Sequence, residues 1–317
     1  MTADALISRR MWIASIAGAM LTGCSRAGCD RREAPGPSVE LPPSKEIEIQ
    51  EVDFEAGPAG PQKAVVIVPR WGAPTDKYPL LVALHGRGES NHGLGIGAWG
   101  WVHDYWLDRA ILKLRKPPLD QASLLGLTNE AQLKRLNEAI AAKPFRGLVV
   151  ACPYTPDILG NSDLATSEPF AAFVEQQLIP KMRSSYPVEA TRAATGIDGV
   201  SLGGRMALLA GCSRPKLFGA IGTLQAAVRR GEVDAFASRA KQAIEAAGGP
   251  LPIRLLTSED DPFRPTLQAL ASAMSAQGTK ADFQVVPGPH DYAFNRGPGS
   301  YEMLLWHDRV LRGEPPP

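Results

Sequence analysis

The feature that most restricts the fold is a series of short apolar runs set between helical patterns. Leu80 to Leu84 contains no polar residue, and a run of that length bounded by turn residues is what a strand buried on both faces requires. Further strand candidates follow at residues 147–151, 193–197, 220–224, 253–256 and 283–286. Between them lie stretches of helical periodicity, residues 169–183, 233–247 and 265–277, and the chain closes with one at 300–311. Strands and helices that alternate in this way give parallel strands joined by crossover helices. Residues 46–54 and 64–68 precede the series as an antiparallel pair. The expected architecture is therefore α/β, a doubly wound, mostly parallel sheet of about eight strands.

Residues 1–23 fall outside that pattern. Ser8-Arg9-Arg10 leads into an apolar run, Met11 to Leu21, and then into Leu21-Thr22-Gly23-Cys24. This is the form of a signal sequence with a lipobox, since the run is too short for a permanent bilayer span and small residues precede the cysteine. Cleavage before Cys24 would leave a lipidated N-terminus and hence a membrane anchor. Ser8-Arg9-Arg10-Met11-Trp12-Ile13 also resembles a twin-arginine export signal, with Trp12 where Phe is usual, and the export route stays open. Ser25 is not an acidic retention signal, so by resemblance to lipoprotein sorting in some bacteria the expected destination is the cell envelope, at the outer membrane. Residues 24–44 are rich in Pro, Gly and charge and read as a flexible tether. The remainder, 45–317, suits one large α/β domain. A formal net charge of +1, with no basic stripe, speaks against nucleic acid as a partner. Of the four cysteines, Cys24 is the lipidation candidate and Cys29 lies in the tether, while the pairing of Cys152 with Cys212 is left open. No Cys/His spacing suggests a metal.

In a sheet of this kind ligands gather beyond the carboxyl ends of the strands, so the residues just after each strand are the ones to inspect. After 193–197 comes Gly199-Val200-Ser201-Leu202-Gly203, the G-x-S-x-G spacing of a tight strand-to-helix turn that holds a serine clear of the sheet. Ser201 is the candidate nucleophile, and the Leu202 N–H, opening the next helix, points where an oxyanion would form. After 80–84 comes His85-Gly86-Arg87-Gly88, with His85 expected to brace the loop; the Arg87 side chain is left between an acidic substrate group and solvent. After 253–256 comes Thr257-Ser258-Glu259-Asp260-Asp261-Pro262, which offers two adjacent acids. After 283–286 comes Pro287-Gly288-Pro289-His290-Asp291, a proline-stiffened loop presenting one imidazole. The order is Ser201, then Asp260 or Asp261, then His290. His92 and His103 precede the serine, and His307 lies inside the terminal helix.

Through His85-Gly86, residues 199–203, the acid loop and residues 288–290, the chain resembles the α/β-hydrolases of the esterase group that includes feruloyl-type esterases, esterase D and the mycolyltransferases. The resemblance covers residues 79–311. It implies an α/β-hydrolase fold and a serine hydrolase that cleaves small carboxylic esters through an acyl-enzyme, with no cofactor. It implies the backbone N–H of Arg87 as the second oxyanion donor beside Leu202, and His290 as the base. In the resembling hydrolases the acid stands three residues after a small residue and just before a proline, which in Ser258 to Pro262 falls on Asp261. An acyltransferase with the same triad and a non-catalytic binding lipoprotein remain open alternatives. The chain departs from the group between Leu84 and Gly147, where about sixty residues exceed what a simple crossover needs. An insertion at about 91–143 carries Trp99, Trp101, Tyr105 and Trp106, then a polar helix at 129–142. These aromatics either form a lid over the site or the packing face of one helix.

Overall fold

The structure, a computed structural model, describes residues 44–317 apart from Ser162. Residues 1–43, and with them the apolar run, Cys24, Cys29 and nearly all of the tether, lie outside the described residues. The strands are β1 (Ile47–Phe54), β2 (Gln62–Pro69), β3 (Leu80–Leu84), β4 (Val149–Pro153), β5 (Thr195–Gly199), β6 (Ala220–Ile221), β7 (Ile253–Ser258) and β8 (Ala281–Val286). They form one eight-stranded sheet in the order β1-β2-β4-β3-β5-β6-β7-β8. β1 and β2 pair antiparallel, as do β2 and β4, and every other neighbour is parallel. This is the mostly parallel sheet that the apolar runs predicted.

Helices cover both faces. Between β3 and β4 lie α1 (Arg87–Ser90), α2 (Gly93–Gly97), α3 (Gly100–His103), α4 (Leu107–Leu114) and α5 (Glu130–Ala142); between β4 and β5, α6 (Glu168–Phe173) and α7 (Ile179–Ser185). Then come α8 (Leu202–Ser213), α9 (Val233–Ala246), α10 (Arg264–Ala276), the short α11 (Tyr292–Phe294) and α12 (Ser300–Val310). The two-residue period of β3 divides the core: Leu80, Val82 and Leu84 pack with Met206, Phe236 and Leu267 on one side, and Leu81 and Ala83 with Trp101, Leu136 and Trp306 on the other. A strand whose successive side chains point to opposite faces must be apolar throughout when both faces are covered. No described helix is long and apolar enough to cross a membrane.

Three local differences from the sequence expectation have physical causes. β5 runs to Gly199, past the apolar stretch, because the polar Asp198 is buried in a pair: its Oδ2 lies 2.9 Å from His307 Nε2, and both side chains are fully enclosed. Two glycines, one in β5 itself and one just after β6, make room for that pair by omission. A Cβ on Gly222 would stand 2.0 Å from Asp198 Oδ2, and one on Gly196 2.7 Å from His307 Nδ1. The helix expected at 169–183 is interrupted by a π turn, Val174–Leu178. Pro180 has no N–H for the carbonyl four residues back and its ring crowds that carbonyl, so the ladder opens there. The aromatics of the insertion do not share one helix: Trp101 is in α3, Tyr105 in the turn after it, and Trp99 and Trp106 immediately precede α3 and α4. Gly93, Gly95, Gly97 and Gly100 break the segment, since each glycine costs a helix interior about 1 kcal/mol. Trp101 and Tyr105 are buried and meet edge to face, ring centroids 4.9 Å apart.

Candidate active site

The turn between β5 and α8 holds Ser201 at φ 54°, ψ −111°, a region that a residue with a side chain enters only under restraint. Its backbone is fixed on every side. Ser201 N–H donates to Leu224 O at 2.9 Å, and Ser201 O accepts from Arg205 and Ala227 at 3.0 and 2.9 Å. The flanking glycines are contact positions: a Cβ on Gly203 would lie 2.2 Å from Leu84 O and one on Gly199 2.4 Å from the Gly203 carbonyl carbon. Only bare backbone lets α8 start so close to the end of β3.

Ser201 Oγ is 3.1 Å from His290 Nε2, and His290 Nδ1 is 2.8 Å from Asp261 Oδ1. Asp261 is buried, and its carboxylate also accepts from Thr257 Oγ1 and from the Phe263 N–H at 3.0 Å. An ionised carboxylate only accepts, so His290 carries its proton on Nδ1 and leaves Nε2 free to accept from the serine hydroxyl. Asp260 is exposed, and its N–H donates to Gly288 O at 3.2 Å. The structure therefore brings Asp261 and not Asp260 against His290.

On the opposite wall, Arg87 opens α1 as Leu202 opens α8. The first N–H of a helix has no intrahelical acceptor; Arg87 lines the cleft in front of Ser201, and Leu202 follows Ser201 directly. His85 is fully enclosed; its Nδ1–H donates to Gly86 O at 2.9 Å and its Nε2 accepts from Thr155 N–H at 2.8 Å. With an amide donor against Nε2 the ring is neutral, and burial holds its pKa below the usual value, outweighing the Gly86 carbonyl and Glu89. The Arg87 side chain, for which substrate and solvent were both open, lies against Asp157 at 2.8 Å.

The cleft in front of Ser201 has a volume of about 260 Å³ and is lined in part by Glu89, Tyr105, Tyr292 and Asn295. Tyr105, singled out in the sequence only as one of several aromatics, has a defined task. Its oxygen accepts from Gly86 N–H at 3.1 Å, and its hydroxyl donates to the buried Glu89. Burial first and the Glu89 charge second push the Tyr105 pKa well up, so the phenol keeps its proton. Glu89 and Tyr292 were missed because neither follows a recognisable pattern. Both are near residues that were read, Glu89 two after Arg87 and Tyr292 two after His290. Cys152 and Cys212 are both free thiols. Among the described residues no group of three or more His, Cys, Asp or Glu is gathered as a metal would require.

Several solved structures share this architecture. The feruloyl esterase module from Clostridium thermocellum, complexed with sinapinate, superposes with a TM-score of 0.59 at 20% identity, over 86% of this chain and 92% of that one. The fold is the α/β-hydrolase fold. S-formylglutathione hydrolase from Staphylococcus aureus has a TM-score of 0.53 at 13% identity, over 85% of this chain and all of the other. Ferric enterobactin esterase from Salmonella typhimurium has a TM-score of 0.57 at 21% identity, over 84% of this chain and 59% of its own. Residues 162–244 match the family described as "Putative esterase". That stretch contains the Ser201 turn of this α/β-hydrolase fold but neither Asp261 nor His290. No curated protein matches the chain in sequence.

Proposed function

We propose that the chain is a serine hydrolase of carboxylic esters, lipid-anchored at the cell envelope through Cys24. The observation that carries the chemistry is the unbroken line from Ser201 Oγ through His290 to Asp261, with spacings of 3.1 and 2.8 Å. His290 Nε2 takes the serine proton as Oγ attacks the ester carbonyl, and Asp261 holds the ring and balances its charge. The carbonyl oxygen, now an anion, is received by the amides of Arg87 and Leu202. Collapse of the intermediate expels the alcohol, protonated by His290, and leaves an acyl-serine. A water that gives its proton to His290 then releases the acid. The match to an esterase family and the esterases among the structural neighbours support this reaction class. Those neighbours are named for different substrates, so their likeness does not select an acyl group. The cleft does narrow the choice, because about 260 Å³ lies below the usual range of about 300–1,000 Å³ for small-molecule sites. Short or single-ring acyl groups are favoured over long chains.

The decisive test is Ser201→Ala. Wild type should react with a fluorophosphonate probe and cleave short esters, and the variant should lose labelling and at least about 10³-fold in kcat. Labelling or turnover at the wild-type level in Ser201→Ala would exclude the assignment. For the anchor, wild type expressed in a bacterial envelope should partition into detergent and Cys24→Ala should not. Equal partitioning of the two would remove Cys24 from the proposal.

A further inference from the structure

Beyond β6 the chain carries another non-glycine residue at positive φ, and this one is buried. Gln225 has φ 51° and is fully enclosed. Backbone of this kind, outside glycine, persists only where the surroundings hold it, and what holds Gln225 is a set of bonds to β7 and to the loop that carries His290. Its neighbour's carbonyl, Leu224 O, receives the Ser201 N–H at 2.9 Å, and its own N–H donates to Leu256 O on β7 at 2.7 Å. Its carboxamide nitrogen, Nε2, donates to Ser258 Oγ at 2.6 Å and to Pro289 O at 2.8 Å. Ser258 Oγ in turn donates to Pro289 O at 3.3 Å. Ser258 ends the strand that leads to Asp261, and Pro289 immediately precedes His290.

From this arrangement we infer that Gln225 is a positioning residue for the base: its carboxamide ties the end of β7 to the histidine loop, its backbone continues from the Leu224 carbonyl that holds Ser201, and together these set where His290 Nε2 stands relative to Ser201 Oγ. The inference rests on the serine hydrolase reading. Two backbone ties on the histidine loop, Glu259 N–H to Val286 O at 3.0 Å and Asp260 N–H to Gly288 O at 3.2 Å, reach it from the acid side. Gln225 connects it to the segment after β6, where Leu224 O also fixes the Ser201 backbone. The left-handed φ follows from the same requirement, since the carboxamide must turn back across the strand ends to reach Pro289. Gln225 is neutral and touches neither the serine hydroxyl nor the imidazole, so its effect passes through geometry alone.

Two substitutions separate this role from packing. Gln225→Met fills nearly the same volume without a donor, and Gln225→Gly accepts φ 51° without strain while removing the side chain. Ser258→Ala removes one of the two anchors and leaves the other. A displacement of the base by a fraction of an ångström to 1 Å lowers rate by up to about 10²-fold. We therefore expect Gln225→Met and Gln225→Gly to lose about 10- to 100-fold in kcat, with KM changed by less than about threefold and fluorophosphonate labelling slowed in parallel. Ser258→Ala should lose less. Thermal unfolding identifies which variants are folded, and a wild-type kcat in any folded Gln225 variant overturns the inference. If neither Gln225 variant folds, a wild-type kcat in Ser258→Ala does so. Ser201→Ala, measured alongside, distinguishes the failures: activity retained there removes the hydrolase reading itself, whereas activity lost there and kept in the Gln225 variants removes only this role.

Discussion

Asp260 and Asp261 are neighbours in sequence, yet one faces solvent and the other supports an imidazole from inside the protein. The turn decides it, because adjacent side chains in an extended segment point in different directions. The Phe263 N–H and the Thr257 hydroxyl add bonds that hold the Asp261 carboxylate in place. Asp261→Asn keeps an acceptor for one of them but cannot hold the correct tautomer of His290, and should lose on the order of 10⁴ in kcat with a nearly unchanged melting temperature. Asp260→Asn should stay within about threefold of wild type, since surface substitutions change little. Equal losses in the two variants would mean that the turn is set differently in solution. In the sequence the residue types of the site were legible from their places after strands, and the choice between two acids came only from family spacing. Gln225 stands after residues 220–224 and so in an equally favourable place. A neutral amide there has no recognisable chemistry until its φ and its partners are seen.

Among the elements, α8 is the one whose placement admits least variation. Gly203 meets backbone, not flexible side chains, with Leu84 O and His85 O within 2.2 and 2.6 Å of where a Cβ would stand. Gly203→Ala must therefore push α8 from the end of β3 and carry the Ser201 turn and the His85–Arg87 loop apart. The expected cost is at least about 1–3 kcal/mol, as for overpacked cores, together with loss of most activity. Denaturant unfolding and ester turnover on the same preparation would check both. Gly231, whose Cβ would meet nothing within 4 Å, should tolerate alanine. The strands were legible because burial on both faces demands unbroken apolar runs. Their ends were less so, since β5 continues through Asp198 only because His307, more than a hundred residues later in the chain, supplies its partner. Pro180 was visible in the sequence, but the periodicity of residues 169–183 is strong on either side of it, and the π turn keeps both halves packed.

At the scale of the whole molecule, burial of titratable groups links stability to pH. His85 and His307 are fully enclosed, and in both burial is the leading cause of a pKa below the usual value, outweighing the partners that would raise it. The unfolded chain takes up a proton on each histidine as pH falls through about 6.5, whereas the folded chain does so only at lower pH. Their contribution is thus complete above about 6.5 and declines on acidification, by at most about 1.4 kcal/mol per pH unit for each histidine. His85→Gln keeps an acceptor for the Thr155 N–H and removes one of the two titrations. Unfolding free energies measured at pH 7, 6 and 5 should fall less steeply for the variant, and parallel curves would show that His85 protonates without leaving its place. The other enclosed histidine offers something different. His307 and Asp198 occupy a chamber left by two missing side chains, at Gly196 and Gly222, and the proton across their 2.9 Å contact lies between two fully buried groups. A proton so sheltered exchanges slowly and keeps its own line in a magnetic resonance spectrum. Asp198 lies three residues before Ser201, so that line gives a label-free signal, from within the sheet, of whatever becomes attached to the serine.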